Sequence, residues 1–118
     1  MIEQGESLVM PDAITNLKDG TFYFNFNITV VEREDMDGNK DNVYKFNYIH
    51  ITGNPSYTLC VRSLIRAFIS ESEEFDIINS YNRYSLGLTQ DKENLDKYIE
   101  YLHKVEDIKE VVKQAFNN

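Results

Sequence analysis

An alternating run of aromatic residues between Thr21 and Thr52 constrains the fold of this 118-residue chain most strongly. In its first half every second residue is apolar, as expected of a strand with one buried face. The apolar residues are Phe22, Phe24, Phe26, Ile28 and Val30, and those pointing the other way are Tyr23, Asn25, Asn27 and Thr29. The second half carries Tyr44, Phe46, Tyr48 and His50 on one face and Val43, Lys45, Asn47, Ile49 and Ile51 on the other. Two such strands predict an antiparallel β-hairpin over residues 21–52.

The length of the loop at the hairpin tip decides which strand faces coincide, because side chains alternate along each strand. A two-residue turn at Asp37-Gly38 would place the phenylalanines of the first strand on the face of Lys45 and Asn47. A loop of three or five residues gives the pairs Ile28 with Tyr48 and Val30 with Phe46. We favour the odd-length loop, with Gly38 or Asn39 at a positive φ angle.

The same turn superficially resembles a calcium loop, because Asp35, Asp37, Asn39 and Asp41 alternate around a glycine. In an EF-hand the glycine lies at loop position 6 and a glutamate at position 12. Counted from Asp35, Gly38 comes too early and Phe46 occupies the position of the glutamate. We therefore interpret this segment as a hairpin tip.

Residues 1–20 contain a short apolar group, Leu8-Val9-Met10, which Pro11 stops, and a turn signal at Asp19-Gly20. This pattern predicts an edge strand or an arm.

Three helices are predicted over residues 55–116. In the first, Asn54 is the expected N-cap and Pro55 the first helical residue. Its core stripe is predicted to be Tyr57, Val61, Leu64, Ile65 and Phe68, with Cys60 and Ile69 alongside. The second helix is expected from about residue 73 to 84, after Ser70 or Ser72, with an apolar face of Phe75, Ile78, Tyr81 and Tyr84. A third, capped by Thr89 or Asp91, continues toward Phe116 with an apolar stripe of Leu95, Tyr98, Leu102, Val105, Ile108, Val112 and Ala115.

Together these elements predict a single α+β domain over residues 1–118, with a hairpin or small sheet packed against three helices. An isolated hairpin is marginally stable in water, so we expect the helices to cover its phenylalanine-rich face.

Charge and cysteine content limit the possible function classes. Twelve basic and 20 acidic residues give a formal net charge of −8, which repels phosphate backbones and argues against direct nucleic-acid binding. Cys60 is the single cysteine, so we expect a buried, unreactive thiol and no internal disulfide. The acidic start and the lack of a long apolar run predict a soluble cytoplasmic protein without membrane contact.

No constellation of residues suggests catalysis. The two histidines, His50 and His103, lie on different predicted elements, and no phosphate loop or nucleophile elbow occurs among five glycines. The acidic run of Glu71, Glu73, Glu74 and Asp76 is typical of a first helical turn. We therefore predict a non-enzyme with no catalytic, cofactor-binding or metal-binding residues.

Eight tyrosines exceed what a small core usually buries. They are explained either by half-buried positions at the margin of the core or by a surface that binds a partner. The outer hairpin face also offers a strand edge to which another strand could add. The predicted interaction residues are Tyr23, Asn25, Asn27, Thr29, Tyr44, Tyr48 and Tyr101.

The segment Glu74-Phe75-Asp76-Ile77-Ile78-Asn79-Ser80-Tyr81-Asn82, followed by Lys97-Tyr98-Ile99-Glu100-Tyr101, resembles small uncharacterised proteins encoded in phages and prophages of gut bacteria. The strand-to-helix passage from Tyr48 to Ile65 fits the same pattern, and the resemblance covers residues 44–116. It implies a small accessory or structural protein that works beside other phage proteins, in the cytoplasm or assembled into the particle. It implies no catalytic residues.

The sequence thus favours a protein–protein interaction module that binds a protein partner or itself. The alternative is an acidic inhibitor that imitates nucleic acid and occupies the basic groove of a nucleic-acid-handling protein. Its charged residues would be Glu32, Glu34, Asp35, Asp37 and Asp41 at the hairpin tip, with Glu71, Glu73, Glu74 and Asp76.

Overall fold

A computed structural model of the chain describes residues 2–117. It contains four strands and three helices in the order β1 (Glu3–Ser7), β2 (Ile14–Asn16), β3 (Thr21–Glu34), β4 (Lys40–Thr52), α1 (Tyr57–Phe68), α2 (Glu71–Ser85) and α3 (Glu93–Phe116). The strands form one antiparallel sheet in the order β1-β4-β3-β2. The predicted α+β class is confirmed.

The hairpin of β3 and β4 has the predicted odd-length loop. Glu34 lies opposite Lys40, which leaves the five residues 35–39 at the tip. Gly38 has the expected positive φ angle of 83°. The Asp35 side chain closes the loop by accepting hydrogen bonds from the backbone N–H groups of Asp37 and Asn39, both at 2.9 Å.

The predicted strand pairs, Ile28 with Tyr48 and Val30 with Phe46, are wrong, and a β-bulge also interrupts the ladder. Phe26 lies opposite Asn47 and Thr29 opposite Lys45, so two residues of β3, Asn27 and Ile28, face one residue of β4. Asn27 adopts a φ angle of 52°, a left-handed conformation that asparagine tolerates better than most residues. Between the tip and the bulge the five-residue loop sets the register, so Val30 lies opposite Tyr44 rather than Phe46. Beyond the bulge the register shifts by one residue, so that Phe24 lies opposite Ile49.

The first twenty residues supply both edges of the sheet, which agrees with the edge-strand prediction for this segment. β1 pairs with β4 from Glu3 opposite Tyr48 to Ser7 opposite Tyr44. The three-residue β2 pairs with the first half of β3. Short edge strands of this kind limit unwanted pairing with other chains.

The helix starts agree with the sequence in part: the N-cap of α2 is a predicted residue, whereas those of α1 and α3 are Ser56 and Lys92. Asn54 is not the N-cap of α1. That role belongs to Ser56, whose hydroxyl accepts a hydrogen bond from the backbone N–H of Leu59, and Pro55 precedes the helix. Ser70, one of the two predicted candidates, caps α2 by accepting a hydrogen bond from the backbone N–H of Glu73, and its hydroxyl donates to the Glu73 carboxylate. Asp91 accepts from the N–H of Glu93 at the start of α3.

The main core lies between one face of the sheet and helices α1 and α3. Its members are Phe22, Phe24, Phe26, Ile49, Ile51, Cys60, Val61, Leu64, Ile108 and Val112. The helices therefore cover the phenylalanine-rich face as expected, and Cys60 is fully buried. Tyr57 and Phe68, at the two ends of the predicted stripe of α1, remain partly exposed.

The helical hairpin of α2 and the first half of α3 extends away from this core. Among the described residues of α2 none is buried, and Phe75 is 65% exposed rather than part of the packed face. Instead Tyr81 stacks on Tyr98 of α3 with ring centroids 4.1 Å apart. The molecule is consequently elongated, with dimensions of 66 × 35 × 24 Å and a radius of gyration of 18.8 Å. Within residues 2–117, no helix combines the length and apolar character needed to cross a membrane.

Candidate interaction face

The sheet has a second face, opposite the helices, that is rich in aromatic side chains. We call it the outer face and define it by five residues, Tyr23, Tyr44, Phe46, Tyr48 and His50. The register of the strands places them together, since Tyr23 lies opposite His50 and the other three alternate along β4. The two helices that contact the sheet, α1 and α3, pack against its other face. The four aromatic rings of Tyr and Phe are half-buried and His50 is exposed.

Four of the five rings of the outer face, all except Tyr44, form a chain of contacts. Tyr23 and Tyr48 meet edge to face, with centroids 5.2 Å apart and an interplanar angle of 71°. Tyr23 also lies 5.3 Å from the ring of His50, and Phe46 lies 6.0 Å from Tyr48. Such pairs stabilise a face beyond the area they bury and keep the side chains in defined positions. These four rings therefore form one connected group on the outer face.

Polar groups at one end of the outer face hold these rings. The Tyr48 hydroxyl donates a 2.8 Å hydrogen bond to the carboxylate of Glu3 on β1. That hydrogen bond raises the pKa of Tyr48 above its usual value, because the carboxylate stabilises the protonated phenol. On the other side, Nε2 of His50 lies 2.8 Å from the hydroxyl of Thr21, which in turn donates to Asp19. The hydrogen bond from the Thr21 hydroxyl lowers the pKa of Asp19.

Gly5 of β1 lies directly beneath the ring of Phe46. A Cβ atom added at Gly5 would come within 2.7 Å of Cζ of Phe46, closer than carbon atoms normally approach. Glycine at an edge strand with an aromatic ring over it is a known way to compensate the missing side chain. The absence of a side chain at Gly5 thus sets the position of Phe46 on the outer face.

The predicted interaction residues do not form one surface. Tyr23, Tyr44 and Tyr48 lie together on the outer face, whereas Tyr101 lies on α3 and donates to Glu74 of α2. Asn25 is only 5% exposed.

Two further residues leave the outer face because of the bulge. Asn27 is part of the bulge itself, and Thr29 is paired with Lys45, so it follows the opposite face of the sheet. The buried Asn25 is held by hydrogen bonds from its Nδ2 to the backbone oxygen of Asp12 and to the hydroxyl of Thr15. These three residues are therefore unsuited to the shared surface that the alternating pattern predicted.

Three members of the site were not among the predicted residues. Phe46 and His50 share the alternation of Tyr44 and Tyr48, so the pattern already contained the signal that could have found them. Glu3 carried no such signal, because the pairing of β1 with β4 cannot be counted from a turn.

The acidic residues of the alternative hypothesis lie in two groups on different elements. At the hairpin tip they alternate with bases, and Glu32 lies 3.4 Å from Lys40. On α2, Glu74 accepts hydrogen bonds from Arg66 and Tyr101, which lower its pKa, the bond from Tyr101 contributing most. Part of the acidic charge is therefore engaged within the molecule.

Burial raises the pKa of the Cys60 thiol to about 11 and keeps it protonated at neutral pH. Residues 2–117 contain no group of three or more histidine, cysteine or acidic side chains placed to hold a metal ion. Comparisons with protein-family models, with curated proteins and with solved structures gave no match.

Proposed function

We propose that this chain is a non-enzymatic protein–protein interaction module that binds its partner through the outer face. The observation that supports the proposal is an ordered aromatic face on the side of the sheet opposite the helices. Tyrosine, phenylalanine and histidine rings held in place lose little conformational entropy on binding, and tyrosine is enriched among residues that dominate binding energy. The partner is another protein or a second copy of the chain.

The resemblance of residues 44–116 to phage and prophage proteins supports a more specific context. We propose that the module is a structural or accessory protein of a phage or prophage, located in the cytoplasm or in the assembled particle. Binding through a sheet face suits such a role, because it requires no cofactor or chemical step from the module itself.

Site-specific photocrosslinking tests which surface makes the contact. A benzophenone amino acid replaces Tyr44 on the outer face, and the matched control carries it at Phe75, the exposed aromatic residue of α2. Both proteins are irradiated alone and in lysate of the native host, at about 50 mM and about 500 mM salt, which spans strong and weak screening of charge. The crosslinked proteins are identified by mass spectrometry.

We expect a discrete adduct from position 44 at both salt concentrations and none from position 75. A phage structural protein in that adduct would support the assembly role, and an adduct of the purified protein with itself would identify self-association. Adducts from position 75 alone would refute binding through the outer face. The acidic inhibitor predicts a different result, namely capture of a nucleic-acid-handling protein that disappears at high salt.

A further inference from the structure

A small cleft on the outer face is lined by four side chains from three strands. Glu3 belongs to β1, Tyr23 to β3, and Tyr48 and His50 to β4. The cleft has a volume of about 260 Å³, and we call it the tyrosine cleft. The two tyrosine rings in its lining meet edge to face, at an interplanar angle of 71°.

The groups around the tyrosine cleft favour a positive charge. The faces of tyrosine rings carry negative electrostatic potential and attract cations within about 6 Å. The Glu3 carboxylate accepts one hydrogen bond from Tyr48 and retains acceptor capacity for further donors. Within residues 2–117, Glu3 has no ion-pair partner, whereas Glu32, further along the hairpin, is paired with Lys40.

His50 lines the same cleft. The Thr21 hydroxyl donates its only proton to Asp19, so the contact with His50 requires that Nε2 of the imidazole donate to the Thr21 oxygen. In the neutral ring the proton therefore sits on Nε2, and Nδ1 is left as an acceptor. The cleft thus combines two tyrosine rings, a carboxylate and the His50 ring in its lining.

We propose that the tyrosine cleft binds an arginine side chain of the partner protein. A guanidinium group is planar, stacks on aromatic rings and donates two parallel hydrogen bonds to a carboxylate, which is the combination these residues offer. Charge complementarity supports the assignment, since the chain carries a net charge of −8. The proposal rests on the proposed function and deepens it by naming the residue that the outer face recognises.

A titration followed by NMR tests the cleft without the partner. The probe is N-acetyl-arginine methylamide, and the matched neutral probe is the citrulline analogue, which has nearly the same shape and no charge. We expect saturable shifts of the side-chain signals of Tyr23, Tyr48 and His50, with a dissociation constant in the millimolar range that a single side chain can supply. The citrulline analogue should bind at least about tenfold more weakly.

Two variants locate the site. Glu3→Gln keeps the shape of the side chain and removes its charge, and we expect it to weaken arginine binding about fivefold to tenfold. Glu32→Gln on the hairpin is the control and should leave binding unchanged. Shifts that do not saturate, or equal binding of the two probes, would overturn the proposal. Crosslinking from position 44 is a separate readout, so a partner that still binds the outer face would show that only the arginine assignment had failed.

Discussion

The helical hairpin of α2 and α3 depends on a polar cluster that joins all three helices. The Tyr101 hydroxyl of α3 donates to Glu74 of α2, whose other carboxylate oxygen lies 2.7 Å from Nη2 of Arg66 on α1. Since none of the described residues of α2 is fully buried, apolar burial contributes less to its stability than it does for a core helix. We therefore predict that Tyr101→Phe loosens α2 and leaves the sheet unaffected.

The size of the effect follows from the environment of the hydrogen bond. A hydrogen bond to a charged acceptor contributes about 1.5 to 3 kcal/mol to stability. The Glu74 side chain is 19% exposed and keeps its contact with Arg66 in the variant, so we expect a smaller loss of about 1 to 1.5 kcal/mol. If α2 opens independently of the sheet, this loss corresponds to about fivefold to twelvefold faster amide exchange, because about 1.4 kcal/mol is a factor of ten.

Hydrogen exchange of the native protein, read by mass spectrometry, measures this directly. The amides of residues 71–85 should exchange faster in Tyr101→Phe, and those of β3 and β4 should be unchanged. The matched control is Tyr98→Phe, which also loses a hydroxyl but keeps the ring that stacks on Tyr81. Unchanged exchange in α2, or equal acceleration across the sheet, would refute the reasoning.

Four further predictions concern stability and reactivity. Gly5→Ala should destabilise the protein by about 1 kcal/mol, because the Phe46 ring must move. In a Phe46→Ala background the same substitution should stabilise it by about 0.5 kcal/mol. Urea denaturation of wild type, the two single variants and the double variant measures this coupling. Asn25→Leu should cost about 1 to 3 kcal/mol in the same assay, since it removes two part-buried hydrogen bonds; a cost near zero would contradict them. Burial, and after it the hydrogen bond to the Glu74 carboxylate, raises the pKa of Tyr101 to about 12. The contribution of the Tyr101 hydroxyl to stability is therefore complete below pH 10 and is lost between about pH 10 and 12. The melting temperatures of wild type and Tyr101→Phe should converge over that range. The Cys60 thiol should react with a disulfide reagent at least about a hundredfold more slowly in the native protein than in urea, and rapid native labelling would contradict its burial.

Much of the fold could be predicted from the sequence, because each element depends on a local pattern. Alternation identified β3 and β4, and the loop parity was correct because the Asp35 side chain and Gly38 act within the loop itself. The N-cap of α1 is Ser56, two residues after the predicted Asn54; both residue types are good caps, so residue type alone does not decide between them.

The bulge at Asn27 and Ile28 could not be predicted from alternation alone. An extra residue in one strand changes the register without leaving a gap in the pattern, and the run of alternating residues looks continuous across it. This single feature removed Thr29 from the outer face, although Tyr23 was placed correctly. The candidate site was therefore predicted in part, and the contribution of Glu3 became visible only with the tertiary pairing of β1.

The elongated shape affects how the mass of this protein in solution has to be measured. A globular chain of this length has an expected radius of gyration of about 13.5 Å, compared with 18.8 Å here. A longer particle experiences more friction, so the monomer will elute from a gel-filtration column ahead of compact proteins of 13.8 kDa. The elution volume of the monomer would then be mistaken for that of a dimer. Light scattering or sedimentation equilibrium, which report mass independently of shape, will separate self-association from extension.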